Sequence, residues 1–205
     1  HGYATRYFTD APPDWDHQTP WLRQWYDGVA FDPKIETDRK LFAEAADWVA
    51  EQRGPFLATL MSRTNHYPFM PVHDMTPAEA AQTPMQIGTT MRYTDSALQA
   101  LVERVAASPA GHHTLVVVTG DHGFALGEGG VYAIGGPLHR AMTWIPLVFA
   151  PVRSDETMPR LGPAGVLRSD LSTHADLYPT LVDLLGMRPS TASPGHALFA
   201  PHRAG

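Results

Sequence analysis

Leu115-Val116-Val117-Val118-Thr119-Gly120-Asp121-His122-Gly123 is the stretch on which the reading of the fold turns. An unbroken aliphatic run of this length, rich in β-branched residues, predicts a strand apolar on both faces, the pattern of a central strand covered by helices. The run passes without a spacer into an acid and an imidazole flanked by glycines. In open α/β sheets, ligands collect outside the carboxyl ends of the strands, so Asp121 and His122 are the first candidate functional residues. A carboxylate oxygen beside an imidazole nitrogen suits a divalent ion such as Zn or Mn. Gly120 and Gly123 permit the tight turn that would aim both side chains at one point. The same pair can instead be an Asp capping a turn with His as its partner, and the residues alone leave both readings open.

Working outward, Ile145 to Ala150 predicts a further strand ending at Pro151, and His174 to Leu185 a helix stopped by Gly186 and Pro189. Upstream, Tyr3 to Thr9 reads as a short strand that ends in the breaker-rich stretch Asp10-Ala11-Pro12-Pro13-Asp14. Trp15, Trp21 and Trp25 read as aromatics packed under a long loop, in preference to a carbohydrate platform. From Asp38 to Gln52, Leu41, Phe42, Ala45, Trp48 and Val49 recur at helical spacing, with Thr37 or Asp38 as cap and Gly54-Pro55 as stop. Phe56 to Met61 is of strand length and runs into the polar cluster Ser62-Arg63-Thr64-Asn65-His66. Met70 to Thr83, interrupted by Pro71 and Pro77, predicts a meandering loop. A second long helix follows with the stripe Ile87, Met91, Leu98, Leu101, Val102 and Val105, ending near Ser108-Pro109. Strands alternating with helices give an α/β class with a mostly parallel sheet flanked by helices.

Composition narrows the function classes. The 205 residues suit one domain, and 43% hydrophobic with 18% charged residues describes an ordinary globular chain. Fifteen Lys and Arg against 21 Asp and Glu give −6, with no basic cluster to track a nucleic-acid backbone. A nucleic-acid partner is not expected. The absence of cysteine removes disulfides, thiolate ligands and a cysteine nucleophile from this chain. No apolar run approaches the roughly 20 residues of a bilayer span, so no membrane span is expected here. The opening His1-Gly2-Tyr3 carries no Met and no leader pattern, which suggests a chain that starts inside a longer protein.

Taken together, Val118-Thr119-Gly120-Asp121-His122-Gly123, Gly127-Glu128, Ile145-Pro146-Leu147-Val148 and Asp176-Leu177-Tyr178-Pro179-Thr180-Leu181 resemble the C-terminal half of the sulfatase family, within the alkaline phosphatase superfamily. Asn65-His66-Tyr67-Pro68-Phe69 is similar to a segment of the lipoteichoic acid synthase and phosphoglycerol transferase branch, and Tyr93-Thr94-Asp95 matches a family habit. The resemblance spans roughly Pro55 to Leu185 and implies an alkaline-phosphatase-like fold. It also implies that Asp121 and His122 ligate a divalent metal (Mn, Mg, Ca or Zn), and that His66 contacts sulfate or phosphate oxygens. His139, in Pro137-Leu138-His139-Arg140, lies where relatives place a Lys or His that touches the substrate; a loop histidine without a role is the competing reading. His73, His112, His113, His174 and His202 carry no comparable support.

The family's first strand, with its acidic metal ligands, and its nucleophile segment have no counterpart in this sequence. The expected organisation is therefore residues 1–205 as a single sulfatase-like domain, the C-terminal part of a longer catalytic domain, with the missing N-terminal part as partner. A chain without that first strand should leave the Leu115 to Val118 strand with an unpaired edge. The expected function is metal-dependent hydrolysis or transfer of phosphate or sulfate esters, leaning to phosphoglycerol- or phosphoethanolamine-type transfer. Sulfate ester hydrolysis and a non-catalytic module binding an anionic ligand or partner are the alternatives. By family resemblance the parent belongs to the cell envelope, membrane-associated on its periplasmic or extracellular side.

Overall fold

A computed structural model describes residues 2–12, 17–31, 37–81, 87–133, 138–153, 161, 165–189 and 191–200. Two compact units divide the chain, residues 1–114 and 115–205. Trp15, Pro137 and His202 lie outside the described residues.

In the first unit, β1 (Ala4–Thr9) is central, hydrogen-bonded in parallel to β2 (Gly28–Ala30) on one side and β3 (Phe56–Met61) on the other. Tyr7 stands opposite both Val29 and Thr59. Parallel neighbours need crossover connections, and helices fill that role. Helix α1 (Thr19–Trp25) leads to β2, and α2 (Asp38–Ala50) leads to β3. Helix α2 starts because extended Thr37 accepts the backbone N–H of Lys40 at 3.4 Å, a side-chain N-cap. It buries Leu41, Phe42, Ala45, Ala46 and Val49, the face the periodicity predicts apart from Trp48, whose ring meets Phe8 and Phe56 edge-on. α2 packs on β1, β3 and the long helix α4 (Ile87–Ala106).

Several expectations need correction here. Trp21 and Trp25 stand on α1, largely exposed and 5.7 Å apart, with Leu22 as the residue α1 buries. Pro20 lies in the first turn of α1, where its missing N–H has no intrahelical acceptor to lose. The loop after residue 70 contains α3 (Pro77–Ala80), set by a capping box between Thr76 and Glu79. On α4 the buried face is Thr89, Thr90, Tyr93, Ala97, Leu101 and Val105, while Met91 is exposed. Polar residues enter that face because their hydroxyls are satisfied: Thr90 donates to the Ile87 carbonyl at 3.0 Å, and Tyr93 to Asp74 at 2.5 Å.

The second unit holds β4 (Leu115–Thr119) antiparallel to β7 (Leu147–Pro151), with Val117 opposite Phe149. Between them run the hairpin strands β5 (Ala125–Leu126) and β6 (Tyr132–Ala133), then the single-turn helix α5 (Arg140–Thr143). A 3-10 turn, His174–Asp176, opens α6 (Leu177–Leu184). The sheet of the first unit is parallel as expected, whereas β4 pairs antiparallel with β7. Among the described residues its ladder partner is β7 alone, and Leu115 to Val118 are half-buried. An apolar run specifies burial and not direction, and a hairpin with one helical turn does not make the crossover a parallel pair requires.

Leu41 is wholly buried, so Leu41→Ala should cost about 2–5 kcal/mol. Urea unfolding is the measurement, with Trp25→Ala on exposed α1 expected to stay within about 0.5 kcal/mol of the parent.

Candidate active site

The polar cluster after β3 folds into a compact turn. His66 donates its backbone N–H to the Arg63 carbonyl at 2.8 Å, and Phe69 donates to the His66 carbonyl at 2.9 Å. The Tyr67–Pro68 peptide is cis, and Phe69 has φ of 59°, left-handed backbone that a bulky side chain rarely adopts. Phe69 is almost wholly buried, and that burial holds the costly conformation in place. The turn presents His66 and Tyr67 to solvent. The His66 ring sets Nδ1 2.6 Å from the Tyr67 carbonyl, so Nδ1–H donates there. Nε2 then carries the lone pair of the neutral ring, or a proton to donate when the ring is charged.

His66, Tyr67 and Met70 line a cleft of about 250 Å³ together with Asp10 and Arg63. Asp10 follows β1 and is only 7% exposed. Its Oδ2 accepts the Arg63 backbone N–H at 3.4 Å, its Oδ1 lies 3.5 Å from Arg63 Nε, and its carbonyl accepts Arg63 Nη2 at 2.7 Å. Oδ1 has no hydrogen-bond partner. Burial pushes the Asp10 carboxyl above its ordinary range, with Arg63 pulling the other way. Sequence reading missed this pair because fifty-three residues separate its members. Position directly after a strand was the one available signal.

In the second unit, β4 delivers Asp121 and His122 to one turn. Asp121 Oδ1 accepts the His122 backbone N–H at 2.8 Å, and Oδ2 lies 3.8 Å from His122 Nε2. His122 Nδ1 lies 2.8 Å from the Gly123 carbonyl. A metal-binding imidazole is commonly oriented in this way, with Nδ1–H donating to a carbonyl and Nε2 left as ligand atom. Both side chains are exposed. One oxygen and one nitrogen donor on the same side fit a divalent ion, and among the described residues no group of three or more acidic or imidazole ligands gathers.

Gly123 is needed where it stands. Its N–H donates to the Met142 carbonyl at 2.8 Å, and a Cβ there would fall 2.1 Å from the Ala141 carbonyl oxygen. From the other side, His174 Nε2 meets the Gly120 carbonyl at 2.8 Å, a contact the sequence reading did not assign to that histidine. His139 caps α5: its Nδ1 accepts the Ala141 N–H at 3.2 Å. Its Nε2 is 3.3 Å from where a Cβ on Gly129 would sit. Nearby, Glu128 accepts the Leu126 N–H at 2.6 Å, and backbone donors together with His139 hold its carboxyl below the usual range.

The sulfatase family model matches residues 1–187. Lipoteichoic acid synthase of Staphylococcus saprophyticus is 25% identical over 206 residues, covering 88% of this chain and 31% of that protein. The Staphylococcus aureus (strain USA300) enzyme of the same name is 23% identical over 220 residues, covering 93% and 34%. The chain thus spans about a third of the length of these relatives. A Vibrio parahaemolyticus protein of the alkaline phosphatase superfamily superposes with a TM-score of 0.70 at 19% identity, covering 98% of this chain and 48% of that one. A Bacteroides thetaiotaomicron structure described as a putative sulfatase gives 0.58 at 18%, covering 97% and 53%. At these identities the structural matches speak to the fold.

Two outcomes follow from this geometry. Gly123→Ala should destabilise by about 1–3 kcal/mol through overpacking and shift the amide resonances of Asp121 and His122. Gly54→Ala, where a Cβ meets nothing, should leave those resonances in place. For Asp10 the folded carboxyl is raised above its unfolded value, so its contribution is fully present below the unfolded pKa and is lost as pH rises through the folded one. Asp10→Asn should therefore gain stability relative to the parent between acid and neutral pH, read from melting temperatures across that range.

Proposed function

This chain belongs to the sulfatase family, and from that premise we propose that it forms part of a metal-dependent enzyme transferring or hydrolysing phosphate esters, of the phosphoglycerol or phosphoethanolamine transfer type. Family membership supports a phosphate- or sulfate-ester enzyme in general. The Asp121–His122 turn, with its Nδ1–H engaged and Nε2 and Oδ2 3.8 Å apart, supports the metal dependence, and the Asn65–Phe69 segment together with the lipoteichoic acid synthase relatives supports the leaning to phosphate esters.

Asp121 Oδ2 and His122 Nε2 are the atoms that would hold the metal. When bound, a divalent ion lowers the pKa of a coordinated nucleophile and neutralises ester oxygens. The protein's own contribution is preorganisation. Gly123, pressed against α5, and His174, on the Gly120 carbonyl, fix the turn so that no reorganisation is needed when charge develops. His66, in its charged form, serves as a donor to a substrate oxygen through Nε2, its ring oriented by Nδ1–H donating to the Tyr67 carbonyl. Asp10, whose Oδ1 pairs with Arg63 Nε at 3.5 Å, shares a cleft with His66 and brings an acidic group to its wall. Arg63, held against Asp10, balances its charge.

For His139 we propose a role in supporting the glycine-rich segment near Gly129 in addition to any substrate contact, since its Nδ1 is committed to capping. The nucleophile is assigned to residues outside this sequence, as are the remaining metal ligands; the chain's coverage of a third of its relatives supports this. A membrane-associated parent at the cell envelope is the proposed setting. Among the described residues, no helix is long and apolar enough to cross a membrane.

The test is turnover by the protein that carries this sequence, with glycerophosphodiester, phosphomonoester and aryl sulfate substrates in the presence of Mn, Mg, Ca or Zn. His66→Ala should lower phosphoester turnover by about 10²–10³, the range for loss of one preorganised donor, at unchanged melting temperature. Asp121→Ala should abolish metal-dependent turnover. Turnover of aryl sulfate alone would favour sulfate ester hydrolysis, and a His66→Ala variant that melts lower yet keeps its activity would make His66 structural.

A further inference from the structure

Asp38, the first residue of α2, is wholly buried, and its side chain is surrounded by hydroxyls from outside its own helix. Ser62 Oγ and Thr64 Oγ1 donate to Oδ1 at 2.6 and 2.7 Å, and Thr94 Oγ1 of α4 makes a short hydrogen bond to Oδ2. Thr94 Oγ1 in turn receives Asn65 Nδ2 at 3.1 Å.

The direction of these bonds follows from donor counting. A carboxylate only accepts, and a hydroxyl has one proton. Thr94 spends its proton on Asp38, so towards Asn65 it can only accept, and the Asn65 amide must turn its nitrogen to Thr94. Asn65 Oδ1 is thereby turned the other way, and it is buried without a hydrogen-bond partner. An Asn whose orientation is dictated from one side cannot flip, and His66 is the next residue along the chain.

We propose that Asp38, acting through Thr94, is a positioning device for the Asn65–His66 turn, holding His66 at the mouth of its cleft. No step in the reaction needs Asp38 or Thr94 to touch substrate. Ser62 and Thr64 anchor the start of the turn on the same carboxylate, while Thr94 anchors its centre from a helix that lies 29 residues further along. The consequence for activity rests on the reading of His66 as a substrate-facing group; the positioning itself does not.

The experiment compares Thr94→Val, which removes the bridging hydroxyl, with Thr94→Ser, which restores it, and with Val105→Ala, a core truncation in the same helix that leaves the network intact. Hydrogen exchange at the Asn65 and His66 amides, melting temperature, kcat and KM are measured for each in the protein carrying this sequence. Thr94→Val should raise exchange at both amides about tenfold and lower kcat by roughly tenfold or more with a smaller change in KM, as expected when a reacting group is misplaced. Thr94→Ser should recover both, and Val105→Ala should lower the melting temperature while leaving both untouched. Should Thr94→Val not fold, Asn65→Ala severs the same link while leaving Asp38 its three donors. Unchanged exchange at His66 in the bridging variant, or an equal rise in Val105→Ala, overturns the proposal. Raised exchange without loss of turnover overturns the catalytic consequence of the positioning, and if His66→Ala is silent as well it overturns the role given to His66.

Discussion

The first unit is organised around the need to keep the Asp38 carboxylate satisfied out of water. An ionised group buried without partners costs far more than a domain's whole stability margin. Hydrogen bonds to charged groups contribute about 1.5–3 kcal/mol each, so Ser62, Thr64 and Thr94 stabilise the burial only by arriving together. Their arrival brings the start of α2, the end of β3 and the second turn of α4 to one point. Arg39 reinforces the arrangement on the neighbouring turn, with its guanidinium 4.5 Å from the Tyr93 ring centre and bonded to the Asp74 carbonyl and to Glu79. The polar knot therefore lies at the carboxyl end of the parallel sheet, where β1 also delivers Asp10.

The second unit solves its problem by backbone approach, not by charge. Gly123 lies so close to the Ala141 carbonyl that no side chain fits, and the Asp121–His122 turn is shaped by that contact and by the His174 bond to Gly120. Exposure of the two side chains is compatible with this, because their aim comes from the backbone. Asp176 shows the complementary device at the base of α6. Its carboxylate accepts the N–H groups of His196 and Thr173, which hold its pKa below the usual range and tie a distant loop to the helix start.

What was legible in the sequence was whatever is local. The strand Phe56–Met61, the cap at Thr37, the burial of Leu41 and Ala45, and the adjacency of Asp121 to His122 all follow from residues within one turn or one strand of each other. Family resemblance added His66 and His139 to the candidates. Pairings that close long loops were not legible: Asp10 with Arg63, Asp38 with Thr94, and His174 with Gly120 are 53, 56 and 54 residues apart. No periodicity encodes such contacts. Strand β2 was missed because three residues give no alternation to read, and the direction of β4 because a fully apolar run carries no information about its neighbour's polarity.

The capping of α5 by His139 bears on how such histidines are read. A ring whose Nδ1 accepts a backbone N–H is held as the neutral tautomer with its proton on Nε2, since protonating Nδ1 would break the cap. His139 can therefore donate through Nε2 only, on the side that faces Gly129. His66 and His122 are set the opposite way, each with Nδ1 on a carbonyl, and so each neutral ring keeps its lone pair on Nε2 and gains an Nε2 proton only when charged. The two settings separate the possible tasks by backbone geometry alone. A metal needs an unprotonated nitrogen, which His122 offers and a capping His139 does not, whereas an ester oxygen needs a donor, which a capping His139 always carries.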